Sequence, residues 1–150
     1  MPEKMLKEYL DRNRVPYHVI YHRPAFTAQE VAASAHIPGS ALAKTVVVEV
    51  DHRLAMAVVP ATKRVDLDRV KEAANAREVR IAREEEFSAC FPGCEVGAEP
   101  PIGELYGMEV YLSADIARSK VVNFSGGTHS ELINMAYRDY ENLVRPTLMT

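Results

Sequence analysis

Two apolar segments, residues 45–50 and 54–59, stand three residues apart in the first half of the chain. The first begins with Thr45-Val46-Val47-Val48, and β-branched side chains favour strands because they suit a pleated, half-buried surface. The connection Asp51-His52-Arg53 is short and polar, as is typical of a hairpin between antiparallel strands. The sequence therefore predicts an antiparallel strand pair as the framework of the fold.

Short helical and extended segments alternate along the rest of the chain. Further strands are predicted at residues 17–21, 78–81, 108–112, 120–124 and 131–135. Helices are predicted at residues 3–13, 27–37, 66–75, 83–91 and 139–146, and Thr27, Asp66 and Asp139 are suited to cap three of them. This order predicts a single α+β domain over residues 1–150, with a curved, barrel-like, mostly antiparallel mixed sheet flanked by helices.

The bulk composition bounds the classes of function. The 150 residues are 47% hydrophobic and carry a net charge of −3, which argues against a general duplex DNA binder that depends on many phosphate contacts. Recognition of one nucleic-acid end stays open. No segment approaches a membrane span and no signal peptide is seen, so a cytoplasmic protein is expected. The spacing of Cys90 and Cys94 matches no zinc or redox motif, and neither metal nor cofactor is expected.

Lys44 is the only Asp, Glu, Lys or Arg between Val31 and Val48. A charge at the mouth of an apolar strand is costly to desolvate unless it has a partner. In a regular strand Lys44 would share the core-facing side with Val46 and Val48, at the strand's end. Its position predicts contact with an anion or a polar ligand at the edge of a cavity.

Two glycine-containing loops are further candidates. In residues 97–103, Gly97 allows unusual backbone angles, while Pro100 and Pro101 stiffen the loop and remove two N–H donors. A rigid strip of exposed carbonyls is expected there, able to hold hydroxyls or an amine, although an ordinary turn fits the pattern too. In residues 123–130 two glycines precede His129, which alone is as well explained by a structural role.

Three motifs in this order, A-K-T-V-V-V, G-x-x-x-P-x-G and S-G-G-T-H, resemble the YbaK/EbsC-type aminoacyl-tRNA deacylase family. The segment from His22 to Thr27 fits the same resemblance, which covers about residues 17–144. A related domain is inserted in bacterial prolyl-tRNA synthetases. The chain departs from the family pattern at Ala98-Glu99-Pro100, where Glu99 puts a carboxylate close to the expected site.

The resemblance implies hydrolysis of the ester that joins a wrong amino acid to the 3′ end of a tRNA. The substrate expected is a small residue such as alanine on tRNA(Pro), and a prolyl-tRNA synthetase is a candidate partner beside the tRNA acceptor end. Water would attack without a protein nucleophile, with the substrate's ribose hydroxyl helping to take the proton. The expected catalytic residues are Lys44, Gly97, Pro101 and His129.

The expected substrate-binding residues surround this set. They are Phe26, Thr27, Thr45, Val46, Ala98, Ser125, Gly126, Gly127 and Thr128. Spacing adds Val31 and Val58 as wall candidates, and for the apolar members a plain core role is equally open.

The stretch between Lys63 and Arg83 holds seven basic and four acidic residues. A solvated helix face explains it most simply. If tRNA binds, Lys63, Arg64 and Arg69 are the candidates for phosphate contacts. A non-catalytic module that binds an aminoacyl-adenosine-like ligand in the same pocket is the alternative function.

Overall fold

The computed structural model describes residues 3–150, in which two β-sheets are flanked by helices. The helices are α1 (Lys4–Arg12), α2 (Ala28–Ser34), α3 (Leu67–Ala74), α4 (Glu84–Phe87), α5 (Ala114–Ala117) and α6 (Tyr137–Val144). The strands are β1 (His18–Tyr21), β2 (Ala43–Val50), β3 (Arg53–Pro60), β4 (Val79–Ile81), β5 (Val110–Ser113), β6 (Val121–Ser125), β7 (Glu131–Ala136) and β8 (Thr147–Met149). Short 3₁₀ turns lie at Gly39–Ala41, Ser88–Cys90 and Gly103–Tyr106.

The larger sheet has the strand order β4-β2-β3-β5-β8, and the smaller sheet has the order β1-β7-β6. The predicted hairpin is present, with β2 and β3 antiparallel. Strands β5 and β8 add to it in parallel. The two sheets meet at an isolated bridge between Leu42 and Asn123. The α+β class with a mostly antiparallel mixed sheet is confirmed, but the sheet is not closed as a barrel.

Side-chain alternation along β2 separates the apolar interior into clusters. Val47 faces the main core, where it joins Phe124 and Tyr140. Val46 and Val48 point to the other face and pack in a second cluster with α3. Leu42, just before β2, belongs to a third cluster beneath α2. A strand whose two faces are both covered is expected to be apolar throughout, as β2 is apart from a few positions near its ends.

Two features differ from the prediction at the C-terminal end. Helix α6 begins at Tyr137 with Ala136 as its N-cap, so Asp139 lies in the first turn instead of capping it. The helix starts early because β7 runs directly into it, and Asp139 still favours the positive end of the helix dipole. Strand β8 was not predicted, since three residues carry too little periodicity to indicate a strand.

Within residues 3–150, no helix combines the length and apolar character that a membrane span requires.

Candidate active site

Lys44 is half-buried on the face of β2 that lies between the second and third apolar clusters. Leu42 on one side packs beneath α2, and Val46 on the other packs with α3. Burial lowers the pKa of the Lys44 ammonium, and the nearby charge of Arg64 lowers it further. No carboxylate among residues 3–150 forms an ion pair with it. This part of β2 therefore carries a partly desolvated cation that forms no ion pair within residues 3–150.

The bridge between Leu42 and Asn123 brings the start of β2, where Lys44 lies, next to β6. The two strands run parallel at the bridge, and Asn123 also donates its side-chain N–H to the carbonyl of Ala41, at 2.9 Å. Lys44 and Ser125 are each two residues farther along their strands. Because side chains repeat every second residue, each is expected to face the same side of its strand as the bridge residue before it.

The turn that follows β6 is tied to the loop at residues 97–103 by backbone hydrogen bonds. Gly127 N–H donates to the carbonyl of Ala98 at 3.0 Å, and Glu95 N–H donates to the carbonyl of Gly127 at 2.8 Å. The carboxylate of Glu95 accepts a hydrogen bond from the backbone N–H of His129 at 2.7 Å. The second and third motifs, nearly 30 residues apart in sequence, therefore form one wall.

The loop itself differs from the expected strip of exposed carbonyls. Ala98, Glu99 and Pro101 are buried, and only Gly97 among residues 97–103 reaches solvent. The Ala98 carbonyl is used by Gly127, and the Pro101 carbonyl accepts from the Tyr140 hydroxyl at 2.7 Å. The expectation was wrong because buried carbonyls require partners, and α6 and the turn after β6 supply them. Pro101 is thus a buried part of the wall, and its carbonyl is not available to a ligand at the surface.

His129 and Phe26 stand at the rim of this wall. His129 is 9% exposed, and its ring centroid lies 4.9 Å from that of Phe26, which is 72% exposed. A Cβ built on Gly97 would lie 3.4 Å from Cε1 of His129. Within residues 3–150, neither ring nitrogen of His129 has a hydrogen-bond partner. The imidazole is held by its surroundings while its nitrogens are left for a ligand or water.

Glu99 lies directly beneath that rim. Its Oε2 accepts from Gly97 N–H at 2.7 Å, and Gly97 has a positive φ of 88°. Burial raises the pKa of the Glu99 carboxyl, while the Gly97 N–H and the nearby His129 act against that rise. Glu99, at which the chain departs from the family pattern, is thus a buried carboxyl that is hydrogen-bonded to the exposed Gly97.

The other predicted residues have separate surroundings. Thr27 is exposed and caps α2 by accepting from Glu30 N–H at 3.1 Å. Thr45 points to the opposite face of β2 from Lys44, and its buried hydroxyl lacks a partner among residues 3–150. The Thr128 hydroxyl donates to Glu131 at 3.3 Å. Val46 is half-buried in the second cluster.

The two added wall candidates and the glycines have structural surroundings. Val31 and Val58 are buried in apolar clusters. Gly126 is buried, and Gly127 has a φ of 92°. A Cβ on Gly127 would lie 2.5 Å from Cβ of Glu3. The close approach that this glycine allows is therefore to Glu3, the N-cap of α1.

Sequence reasoning missed Glu3, Glu95 and Tyr140, which support the wall. Glu3 caps α1 with its carboxylate and donates its N–H to the carbonyl of Gly126 at 2.8 Å. Its place before a helix was the one available signal, since acidic side chains suit helix N-termini. Nothing local in the sequence marks the other two, because their partners are distant in the chain.

The three basic candidates, Lys63, Arg64 and Arg69, line one groove of about 330 Å³. Lys63 forms an ion pair with Asp115, and Arg69 lies 3.6 Å from Asp66. Arg64 is exposed and has no ion pair within the described part of the chain. Arg64 is close enough to Lys44 for its charge to lower the pKa of that lysine.

We predict that Tyr140→Phe lowers the free energy of unfolding by about 1–3 kcal/mol, because the buried Pro101 carbonyl loses its donor. Urea unfolding monitored by circular dichroism measures the change. Tyr17→Phe is the matched control, since its hydroxyl makes an exposed contact of 3.3 Å with Asp11 and should matter little. Equal stability of the two variants would show that α6 does not anchor the loop.

Solved structures share this fold. A hypothetical protein, APE2540, superposes with a TM-score of 0.85 at 22% identity, over 97% of both chains. A proposed trans-editing enzyme for prolyl tRNA synthetase gives 0.79 at 20% identity, over 97% of this chain and 93% of that one. A proposed signal transduction protein from Marinobacter aquaeolei VT8 gives 0.73 at 14% identity, over 95% of this chain and 29% of that one. The fold is thus one found in trans-editing domains.

The family model of the aminoacyl-tRNA editing domain matches residues 22–143. The chain belongs to the aminoacyl-tRNA editing domain family. The match includes Lys44, the loop at residues 97–103 and the turn that carries His129. No curated protein matches the sequence.

Proposed function

We propose that this protein is an aminoacyl-tRNA deacylase that hydrolyses the ester of a mischarged tRNA in trans. The observation that carries the proposal is Lys44, a half-buried cation of an editing-domain fold that forms no ion pair within residues 3–150. The end of an aminoacyl-tRNA supplies the missing anion through the phosphate next to its terminal adenosine. Lys44 would hold that phosphate and so place the ester against the wall formed by residues 97–103 and 126–129.

The reaction requires no protein nucleophile. The oxygen of a water bonds to the ester carbonyl carbon, the bond from that carbon to the ribose oxygen breaks, and the ribose oxygen takes a proton. An aminoacyl ester is already reactive, so positioning and charge stabilisation suffice to lower the barrier. The neighbouring ribose hydroxyl and His129, with its unpartnered ring nitrogens, are the groups suited to move the proton.

We propose a small amino acid such as alanine on tRNA(Pro) as the substrate. The likeness to a proposed trans-editing enzyme for prolyl tRNA synthetase supports this choice, and such a synthetase is the proposed partner. Phe26, exposed at the rim, and Ser125, at the end of β6, would bound the space for the side chain. Exclusion of a larger amino acid is sharper than preference between two that differ by a methylene. The reaction would take place in the cytoplasm, where tRNA is charged.

Arg64→Glu is expected to raise KM for the tRNA much more than it lowers kcat, since Arg64 lies in the basic groove and forms no ion pair within residues 3–150, while the new carboxylate would also act on Lys44. The slope of log KM against log salt should fall by about 1 for each phosphate that the variant no longer binds. The rate with a small ester, 3′-alanyl-adenosine, should change much less than KM for the tRNA. Deacylation kinetics at several salt concentrations measure all three quantities.

Arg77→Glu is the matched control, because it makes the same charge change on an exposed residue outside the groove. Its KM for tRNA should stay close to that of wild type. If Arg64→Glu slows the small ester as much as the tRNA, Arg64 acts through Lys44 and the groove does not bind phosphate.

A further inference from the structure

Two ionisable groups of opposite charge belong to the candidate site, and the imidazole of His129 lies near the negative one, Glu99. Lys44 is half-buried, and Glu99 is 7% exposed. Among residues 3–150, neither forms an ion pair with a side chain, and they do not pair with each other. Burial of a charge that forms no ion pair is costly, so two such groups are unexpected for a purely structural arrangement.

The carboxylate of Glu99 is close to the surface of the site although the residue is buried. Its Oε2 lies 2.7 Å from the backbone nitrogen of Gly97, which is exposed. Gly97 in turn lies beside the His129 ring, since a Cβ built on it would be 3.4 Å from Cε1. Gly97 has no side chain that could cover this carboxylate from solvent. The Glu99 carboxylate would therefore attract a small cationic group at the rim, with little water between the two charges.

An aminoacyl-tRNA end carries complementary charges. The phosphate lies on one side of the terminal ribose, and the amino acid on the other side bears an α-ammonium group next to its ester. An α-amino group has a pKa of about 8, so much of it is charged near neutral pH. With the phosphate at Lys44, the aminoacyl group extends toward the wall in which Glu99 lies.

We propose that Glu99 recognises the α-ammonium group of the substrate, which makes the protein selective for esters of amino acids with a free amino group. This inference rests on the proposed deacylase function and adds a specificity residue to it. Esters of α-hydroxy acids and of N-acylated amino acids lack the cation, and they leave the carboxylate uncompensated. They should be poor substrates even where their side chains fit.

The test compares alanyl-tRNA(Pro) with lactyl-tRNA(Pro), in which a hydroxyl replaces the amino group. Each catalysed rate is divided by the spontaneous hydrolysis rate of the same ester, because the ammonium group itself activates an ester. Wild type should enhance hydrolysis of the alanyl ester at least about tenfold more than that of the lactyl ester, as a charge-assisted contact predicts.

Glu99→Gln should remove this difference by slowing the alanyl ester alone. Glutamine keeps an oxygen that can accept from Gly97 N–H, so the loop should retain its shape while the charge is lost. Glu84→Gln, an exposed change on α4, is the control and should behave as wild type. Thermal unfolding of each variant confirms that it is folded.

Three outcomes separate the ideas. The inference is supported if Glu99→Gln enhances hydrolysis of both esters equally because only its rate with the alanyl ester has fallen. An equal loss for both esters, or an unchanged ratio, overturns it and leaves the deacylase function intact. If wild type accelerates neither ester, the proposed function fails and the inference fails with it.

Discussion

Lys44→Ala is expected to reduce deacylation of a mischarged tRNA by about 100-fold or more, the scale seen when one group that stabilises charge in a reaction is removed. The variant removes the cation that would hold the terminal phosphate, and with it the placement of the ester. Its free energy of unfolding should be unchanged or slightly higher, because a desolvated charge without a counterion contributes no stability. Single-turnover deacylation and urea unfolding measure the two effects.

Lys120→Ala is the control for this experiment, since that lysine is exposed just before β6. Lys44→Arg keeps the charge and should recover part of the rate. An active Lys44→Ala protein would show that the ester is positioned without this cation. If Lys44→Ala is unfolded, Lys44 is instead needed for stability, where the clusters beneath α2 and α3 meet on β2.

The largest stability effect is expected at Gly103, at the end of the site loop. A Cβ there would lie 1.9 Å from the carbonyl oxygen of Met108 and 2.8 Å from Cγ2 of Val110. Backbone must move to relieve such a clash, so Gly103→Ala should lower the free energy of unfolding by about 3 kcal/mol or more. Urea unfolding measures the loss.

Gly107→Ala provides the comparison within the same segment. Gly107 has a φ of 67°, but a Cβ there meets no atom within 4 Å. Gly107→Ala should lower the free energy of unfolding by only about 1 kcal/mol, which is the energy needed to hold alanine in a left-handed backbone conformation. If the two variants lose the same stability, the close packing of Gly103 against Met108 is not a determinant of the fold.

The framework could be predicted from the sequence because its signals are local. The hairpin of β2 and β3 follows from two adjacent apolar segments, and the caps at Thr27 and Asp66 follow from side chains next to their helices. Side-chain alternation grouped Lys44 with Val46 and Val48, but the main core lies on the opposite face of β2, with Val47, and a smaller cluster covers their face. The unpaired state of Lys44 could not be predicted, because that depends on every carboxylate the fold brings near.

The interior of the site wall could not be predicted for the same reason. Tyr140 and Pro101 are 39 positions apart, and their hydrogen bond is what turns an expected surface loop into a buried one. Strand β8 forms only because β5 offers a parallel edge from more than 30 residues earlier. Such contacts are created by the fold, whereas caps and hairpins are encoded next to where they act.

The most direct test of the central claim is turnover by wild type of a panel of aminoacyl-tRNAs. The panel contains Ala-, Ser-, Cys- and Thr-tRNA, with correctly charged Pro-tRNA(Pro) as the cognate control. A trans-editing deacylase should hydrolyse one or a few small mischarged esters, alanine on tRNA(Pro) foremost, and spare the cognate. Tight binding of an aminoacyl-adenosine analogue without turnover of any member would contradict the account and establish a non-catalytic binding module.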